Sequence, residues 1–172
     1  SEPPITYVSV RKSRYSHQLI EKSGEFVINL VNEELARSAD YCGVKSGRNE
    51  DKFAKCNLSK MTADHVKAPL IKESPVNLEC KVLEIKEYQT HDMFIAEIVA
   101  VHADEELFDD DGRIRLDLAG MVAFNHGEYF GIKRKPIGRF GFSVMKKSTK
   151  KRINREAKEK RQKRNEARKR KA

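Results

Sequence analysis

Tryptophan is absent, and cysteine is confined to Cys42, Cys56 and Cys80. An odd count with no CxxC pair argues against a structural zinc site and against a disulfide framework. Reduced thiols of a cytoplasmic protein fit it best. The five histidines, His17, His65, His91, His102 and His126, share no ligand spacing such as HxxxH, so none is read as a metal ligand. No apolar run approaches the roughly 18 residues of a membrane span, and no signal peptide is expected. A P-loop, a GxSxG elbow and a GxGxxG fingerprint are all missing. Nicotinamide, if used, is therefore not held by a Rossmann domain, and no catalytic residue is assigned.

What the chain has in excess is charge, 35% of its residues against 38% hydrophobic. The charge is unevenly placed. Residues 146–172 hold 15 Lys or Arg and 3 Glu, which leaves 20 basic and 23 acidic residues for 1–145. The body is mildly acidic, and the high isoelectric point belongs to the tail. We expect a domain over 1–145 and a basic tail over 146–172.

Ile5–Val10 is β-branched and aromatic after Pro3-Pro4 and reads as a strand. Ser13–Ser23 reads as a short helix stopped by Gly24. Glu25–Leu30 is a second strand. Asn32 suits the N-cap of a helix over Glu33–Tyr41, followed by a polar loop over Cys42–Asn49. A short helix is expected over Glu50–Cys56, and one helical turn over Thr62–Val66. Val76–Tyr88 alternates, changes face near Val82-Leu83 as a bulge would require, and is answered across a turn by Met93–Ala103. Gly120–Asn125 is a short strand, and Ile137–Val144 ends the domain. This is a mainly β protein with helical insertions, better suited to an antiparallel barrel than to a doubly wound sheet. Ser148–Lys171 favours helix but has no face to bury. It is an exposed helix or a disordered tail.

Four constellations could carry function. Ser9–Ser16 (SVRKSRYS) gathers Arg11, Lys12 and Arg14 with hydroxyls at a strand-to-helix junction. Free N–H groups and a helix dipole suit an anion there, but a capped helix with solvated arginines has the same composition. Lys45–Arg48 with Lys52 forms a glycine-containing loop that could wrap a phosphate or be plain surface. Asn125–Tyr129 could line a site or simply turn. The tail suits nucleic acid, the ribosome or an anionic membrane. It has no aromatics for base stacking and no apolar face for a bilayer, and a solubilising appendage reads the same way.

In order along the chain, EPPITYVSVRKSRYS, KSGEFVINL, ADYCGVKSGRNEDKF, APLIKESPVNLECKV, HDMFIAEIVAVHAD, FNHGEYF and IGRFGFSV resemble the flavin reductase-like family. The likeness is to its FMN-binding split β-barrel, flavoredoxin branch. The resemblance implies a Greek-key split barrel that forms a homodimer with FMN near the subunit interface. It implies that Ser9, Val10, Arg11, Ser13, Arg14, Tyr15 and Ser16 meet the phosphate and ribityl chain, joined by Ser46, Gly47, Arg48 and Lys52. It implies an FMN-dependent oxidoreductase, first of all an NAD(P)H-dependent flavin reductase, in which the flavin carries the chemistry. The alternatives are an FMN electron carrier reduced by a partner protein, and a non-catalytic barrel tethered to nucleic acid or membrane by its tail. Three features depart from the family pattern. Lys12 stands where proline is frequent, the basic tail is additional, and the family has further strands ahead of the segment matching Pro3-Pro4. Those strands carry a Thr/Asn-rich segment that helps hold the isoalloxazine ring.

Overall fold

The β-branched run after Pro3-Pro4 forms strand β1, Ile5–Arg11. The computed structural model describes residues 2–133, 136–138 and 140–171. Helix α1, Tyr15–Ser23, follows a tight turn and stops at Gly24, whose φ of 68° is left-handed. That conformation costs glycine nothing and returns the chain directly into β2, Glu25–Asn29. After α2 (Ala36–Val44), α3 (Lys52–Lys55) and the short strands β3 (Lys60–Met61) and β4 (Leu70–Ile71), the chain enters its longest hairpin. This pairs β5, Val76–Glu87, with β6, His91–Ala103. The main sheet has the order β1-β6-β5-β2, with antiparallel neighbours throughout.

Two register shifts interrupt the β5–β6 ladder, between Glu79 and Cys80 and between Val82 and Glu84. The second inserts Leu83, where the alternation of the sequence changes face. Bulges of this kind bend a strand and deepen its twist, so the sheet curls into half of a barrel. Its concave face holds the core. Phe26, Cys80, Phe94 and Ala96 are buried there, with Val8, Val10, Ile20 and Ile28 packed against them. The register places Glu79 across from Val27 and Asn77 across from Asn29, on the opposite face. The segment 59–74 lies over these residues. Its own Val66 and Leu70 are buried, and its Ile71 N–H donates to Asn29 Oδ1 at 3.0 Å.

The second hairpin, β7 (Val122–Asn125) and β8 (Glu128–Gly131), turns through His126 and Gly127, both with positive φ. The Asn125–Tyr129 cluster is therefore a hairpin turn with exposed side chains. It approaches α2 only at its rim, where Tyr129 Oη donates to Asp40 Oδ1 at 3.3 Å.

Some boundaries differ from those expected. Regular helix in α1 begins at Tyr15 and not at Ser13, because Lys12–Arg14 are spent on the turn. Asn32 does accept the Leu35 N–H at 2.9 Å, but this cap closes only a turn. The helix it was expected to start runs later, through Gly43 to Val44. Thr62–Val66 is not helical, since its N–H groups are taken by the Glu79 carboxylate.

The chain divides into two compact units, Ser1–Arg134 and Lys135–Ala172. Ile137–Val144 falls in the second unit, and Arg139 within it lies outside the described residues. The second unit contains a 3₁₀ turn, Phe142–Val144, and the 25-residue helix α4, Lys147–Lys171. Where its side chains are described, Arg152–Glu156 and Arg155–Glu159 pair at i,i+4. Among the described residues no helix is long and apolar enough to cross a membrane.

Candidate functional site

The end of β1 delivers Ser9, Val10 and Arg11. Strand alternation sends Val10 into the core and leaves Ser9 and Arg11 exposed. The chain then turns sharply, with Arg14 N–H donating to Arg11 O at 2.9 Å and Lys12 N–H to Thr90 O at 3.3 Å. Arg14 is extended in the N-cap position, and no side chain caps the helix behind it. The first-turn N–H groups of α1 are thus left without a side-chain acceptor, at the positive end of the helix dipole. Ser13, Arg14 and Ser16 are exposed around them, and Tyr15 is half-buried.

A second segment reaches the same place. The loop after α2 is shaped by Ser46, whose Oγ accepts the Arg48 N–H at 3.3 Å and whose carbonyl accepts the Asn49 N–H at 3.2 Å. Asp51 then caps α3 through the Phe53 N–H at 2.9 Å. Arg48 lies over the Tyr15 ring, its guanidinium carbon 5.2 Å from the ring centre, within cation–π range. A Cβ on Gly47 would sit 3.5 Å from Tyr15 Cδ1 and 4.0 Å from Lys52 Cε. The two basic constellations, far apart in sequence, therefore meet at Tyr15. Among the described residues, no carboxylate pairs with Arg11, Arg14 or Arg48. Lys52 is placed differently, since its Nζ donates to Cys42 O at 2.6 Å and ties α3 to α2. Larger side chains at Gly47 would push against Tyr15. We expect Gly47→Leu to lower the Tm by a few degrees in thermal denaturation, the cost of overpacking against the Tyr15 ring, while Gly47→Ala, whose Cβ would sit in ordinary contact, leaves it near wild type.

Behind the cradle lies a group the sequence did not reveal. Asp92, buried at the start of β6, receives His17 Nε2 at 2.7 Å and Lys12 Nζ at 3.2 Å. The Tyr88 N–H adds a third donor at 3.2 Å. Burial alone would raise the Asp92 carboxyl, but these donors, His17 first, outweigh it and hold it below the usual range. His17 is itself buried and meets Phe94 edge to face at 5.2 Å. Lys12 is thus a structural cation of the turn and does not join the three open arginines. Its appearance where proline is frequent was the one signal available in the sequence.

A second buried carboxylate works on the far face. Glu79 is fully buried and accepts the N–H groups of Asp64, His65 and Val66 at 2.8, 2.7 and 3.1 Å. His102 Nε2 donates to its Oε1 at 2.6 Å. Burial pushes this carboxyl up, and the Asp64 N–H, His102 and the His65 N–H together bring it from 4.5 down to about 2. Asp64, Glu79 and His102 have the spacing of a metal trio. The Glu79 oxygens are already spent on backbone donors, however, so the trio reads as a clasp for the 59–74 segment.

Surface depressions lined by Lys60, Met61 and Lys67, and by Glu33, Asp104 and Glu106, share no residue with the cradle. The cradle is an open, cationic rim. Its fold has solved counterparts. Flavoredoxin of Desulfovibrio vulgaris (Miyazaki F) superposes with a TM-score of 0.76 at 34% identity, over 83% of this chain and 77% of that one. Flavoredoxin from Methanosarcina acetivorans gives 0.75 at 29% identity, over 84% and 78%. An uncharacterized protein of Archaeoglobus fulgidus is 39% identical over 103 residues, 59% of this chain and 58% of that protein. The chain thus spans a little under three fifths of that relative's length. Residues 1–133 match the family described as "Flavin reductase like domain". With the split-barrel sheet and these matches together, the chain belongs to the flavin reductase-like domain family.

Proposed function

We propose that this protein binds FMN and acts as an NAD(P)H-dependent flavin reductase. The observation that carries the reading is the meeting of the Ser9–Ser16 and Lys45–Arg48 segments at Tyr15, where Arg48 lies over the ring next to an uncapped helix N-terminus and, among the described residues, no carboxylate pairs with Arg11, Arg14 or Arg48. An isolated cluster of like charge is unfavourable, and a phosphate dianion removes the repulsion. Arg11, Arg14 and Arg48 would grip the phosphate, with Ser13 and Ser16 hydroxyls and the α1 N–H groups completing it. Ser9 and Val10 would contribute backbone beside the ribityl chain, and Tyr15 and Gly47 would form the wall between the two segments. FMN, held by these residues, would supply the redox chemistry between nicotinamide and an acceptor. A homodimer suits the exposure of Ile5 (44%) and Tyr7 (61%) on the edge strand β1, which an isolated sheet would leave open.

The test is a titration of the purified protein with FMN, followed by NADH and NADPH. Each of Arg14→Ala and Arg48→Ala is expected to weaken FMN binding about ten- to a hundredfold, the range of a charge-assisted phosphate contact. Bound FMN that neither nicotinamide reduces, but a partner protein does, would favour the electron-carrier reading. A protein that takes up no FMN would refute both.

A second activity is favoured by α4, a continuous 25-residue helix with almost no apolar residue. We propose that it binds nucleic acid without sequence preference. Its basic residues are spread along its whole sequence with almost no apolar residue between them, which suits phosphates better than the apolar interior of a bilayer. Removing residues 146–172 should abolish RNA retention, and log affinity should fall steeply with log salt beforehand, with a slope on the order of −5 or steeper. Unchanged retention after truncation would exclude it.

A further inference from the structure

Cys42 and Cys56 lie on either side of the cradle loop, and their sulfurs are 4.0 Å apart. Cys42 is in the last turn of α2, and Cys56 is the C-cap of α3. Both are half-buried, so a small oxidant can reach them, whereas Cys80 is fully buried in the core. Lys52 Nζ on Cys42 O at 2.6 Å already joins α3 to α2, and Tyr41 Oη of α2 donates to Glu50 Oε2 at 2.7 Å in the loop just before α3. A covalent bond here would therefore reinforce an existing closure. The sulfurs need to approach by about 2 Å to reach bonding distance.

We propose that Cys42 and Cys56 form a reversible dithiol–disulfide site, oxidised by hydrogen peroxide, that straps the Ser46–Arg48 loop. Cys56 attacks the peroxide. An S–O bond forms, the O–O bond breaks, and one water leaves, giving a sulfenic acid on Cys56. Cys42 then attacks that sulfur. The S–S bond forms, the S–O bond breaks, and a second water leaves. The two thiols together give up two electrons and two protons, and the peroxide is reduced to two waters. The consequence for FMN rests on the flavin reading above: a strapped loop should release FMN more slowly.

The full chain is treated with stoichiometric hydrogen peroxide, alkylated, digested without reductant and weighed. A Cys42–Cys56 cross-linked peptide, 2 Da lighter than the reduced pair, is expected, with Cys80 alkylated only after unfolding. Dithiothreitol should reverse it. The Tm of the oxidised protein should rise by about 5 °C. In Cys42→Ser, Cys56 should stop at a sulfenic acid that dimedone traps. Both thiols remaining open to alkylation after peroxide, or Cys56 running on to sulfinic acid in the wild type, would overturn the site. An FMN release rate unchanged by oxidation would overturn the strap. Failure to bind FMN at all would refute the flavin reading while the cross-link is still scored by mass.

Discussion

Replacing Glu79 with alanine should lower the unfolding free energy by about 3–5 kcal/mol, the cost of stripping a buried hydrogen-bonded carboxylate from its partners. At this chain length that corresponds to a fall in Tm of roughly 10 °C. The N–H groups of Asp64, His65 and Val66 and the His102 ring all lose their acceptor. The 59–74 segment keeps other anchors, among them Lys67 N–H on Glu25 Oε1 and Ile71 N–H on Asn29 Oδ1, but none of them serves the N–H groups of residues 64–66. Glu79→Gln keeps the shape and one acceptor oxygen, so it should lose less. A change of under about 1 kcal/mol in the alanine variant, within the range of an ordinary surface substitution, would mean that the clasp is dispensable.

The same residue sets an acid limit. Its carboxyl ionises near 2 in the folded protein and near 4.5 ordinarily. Between those values the unfolded chain takes up a proton that the folded chain does not, so stability falls as pH falls. The contribution is fully present above about 4.5 and lost below about 2. Chemical denaturation across that window should show a steeper loss for the wild type than for Glu79→Gln. Parallel curves would place the acid sensitivity elsewhere.

Replacing Asp92 should damage the cradle without touching the anion. Its carboxylate holds both Lys12 and His17, and with them the turn and the first turn of α1. Charge and positioning predict opposite signs here. Under the FMN proposal, removing an anion near the phosphate should tighten its binding, whereas loosening the turn should weaken it. We expect positioning to prevail because the misplacement of binding groups by about 1 Å can cost on the order of a hundredfold. Asp92→Asn should therefore weaken FMN binding at least about tenfold, at a Tm lowered by several degrees as buried donors lose their acceptor. Tighter binding in Asp92→Asn, measured calorimetrically at neutral pH, would show that the clamp has no positioning role. In the wild type the clamp loosens below the usual carboxylate range, since the folded Asp92 carboxyl is held low.

The sequence was most legible where one residue type has one physical use. Pro3-Pro4 before a β-branched run, Gly24 after a short helix and the change of face at Val82-Leu83 each fixed a feature locally, because backbone sterics and side-chain alternation act over a few residues. The arginines of Ser9–Ser16 and of the Lys45–Arg48 loop were also visible as separate basic clusters. Their meeting at Tyr15 was not, because it depends on how α2 and α3 return to the first helix. Thr62–Val66 shows the opposite failure. Its helical propensity was readable, but the Glu79 carboxylate, 13 to 15 residues on, outbids helix formation for the N–H groups of Asp64, His65 and Val66.

What the sequence determined by itself is thus the family, the curled antiparallel sheet and the basic segments at the end of its first strand. What only the tertiary structure decided is the duty of each charge. Lys12 and Lys52 are consumed as structural cations, Asp92 and Glu79 are buried as clasps, and Arg11, Arg14 and Arg48 are left open. The reason is the desolvation of Asp92 and Glu79: a charged group taken from water must find its partner within a few ångströms, and which partner lies that close is a property of the folded chain alone.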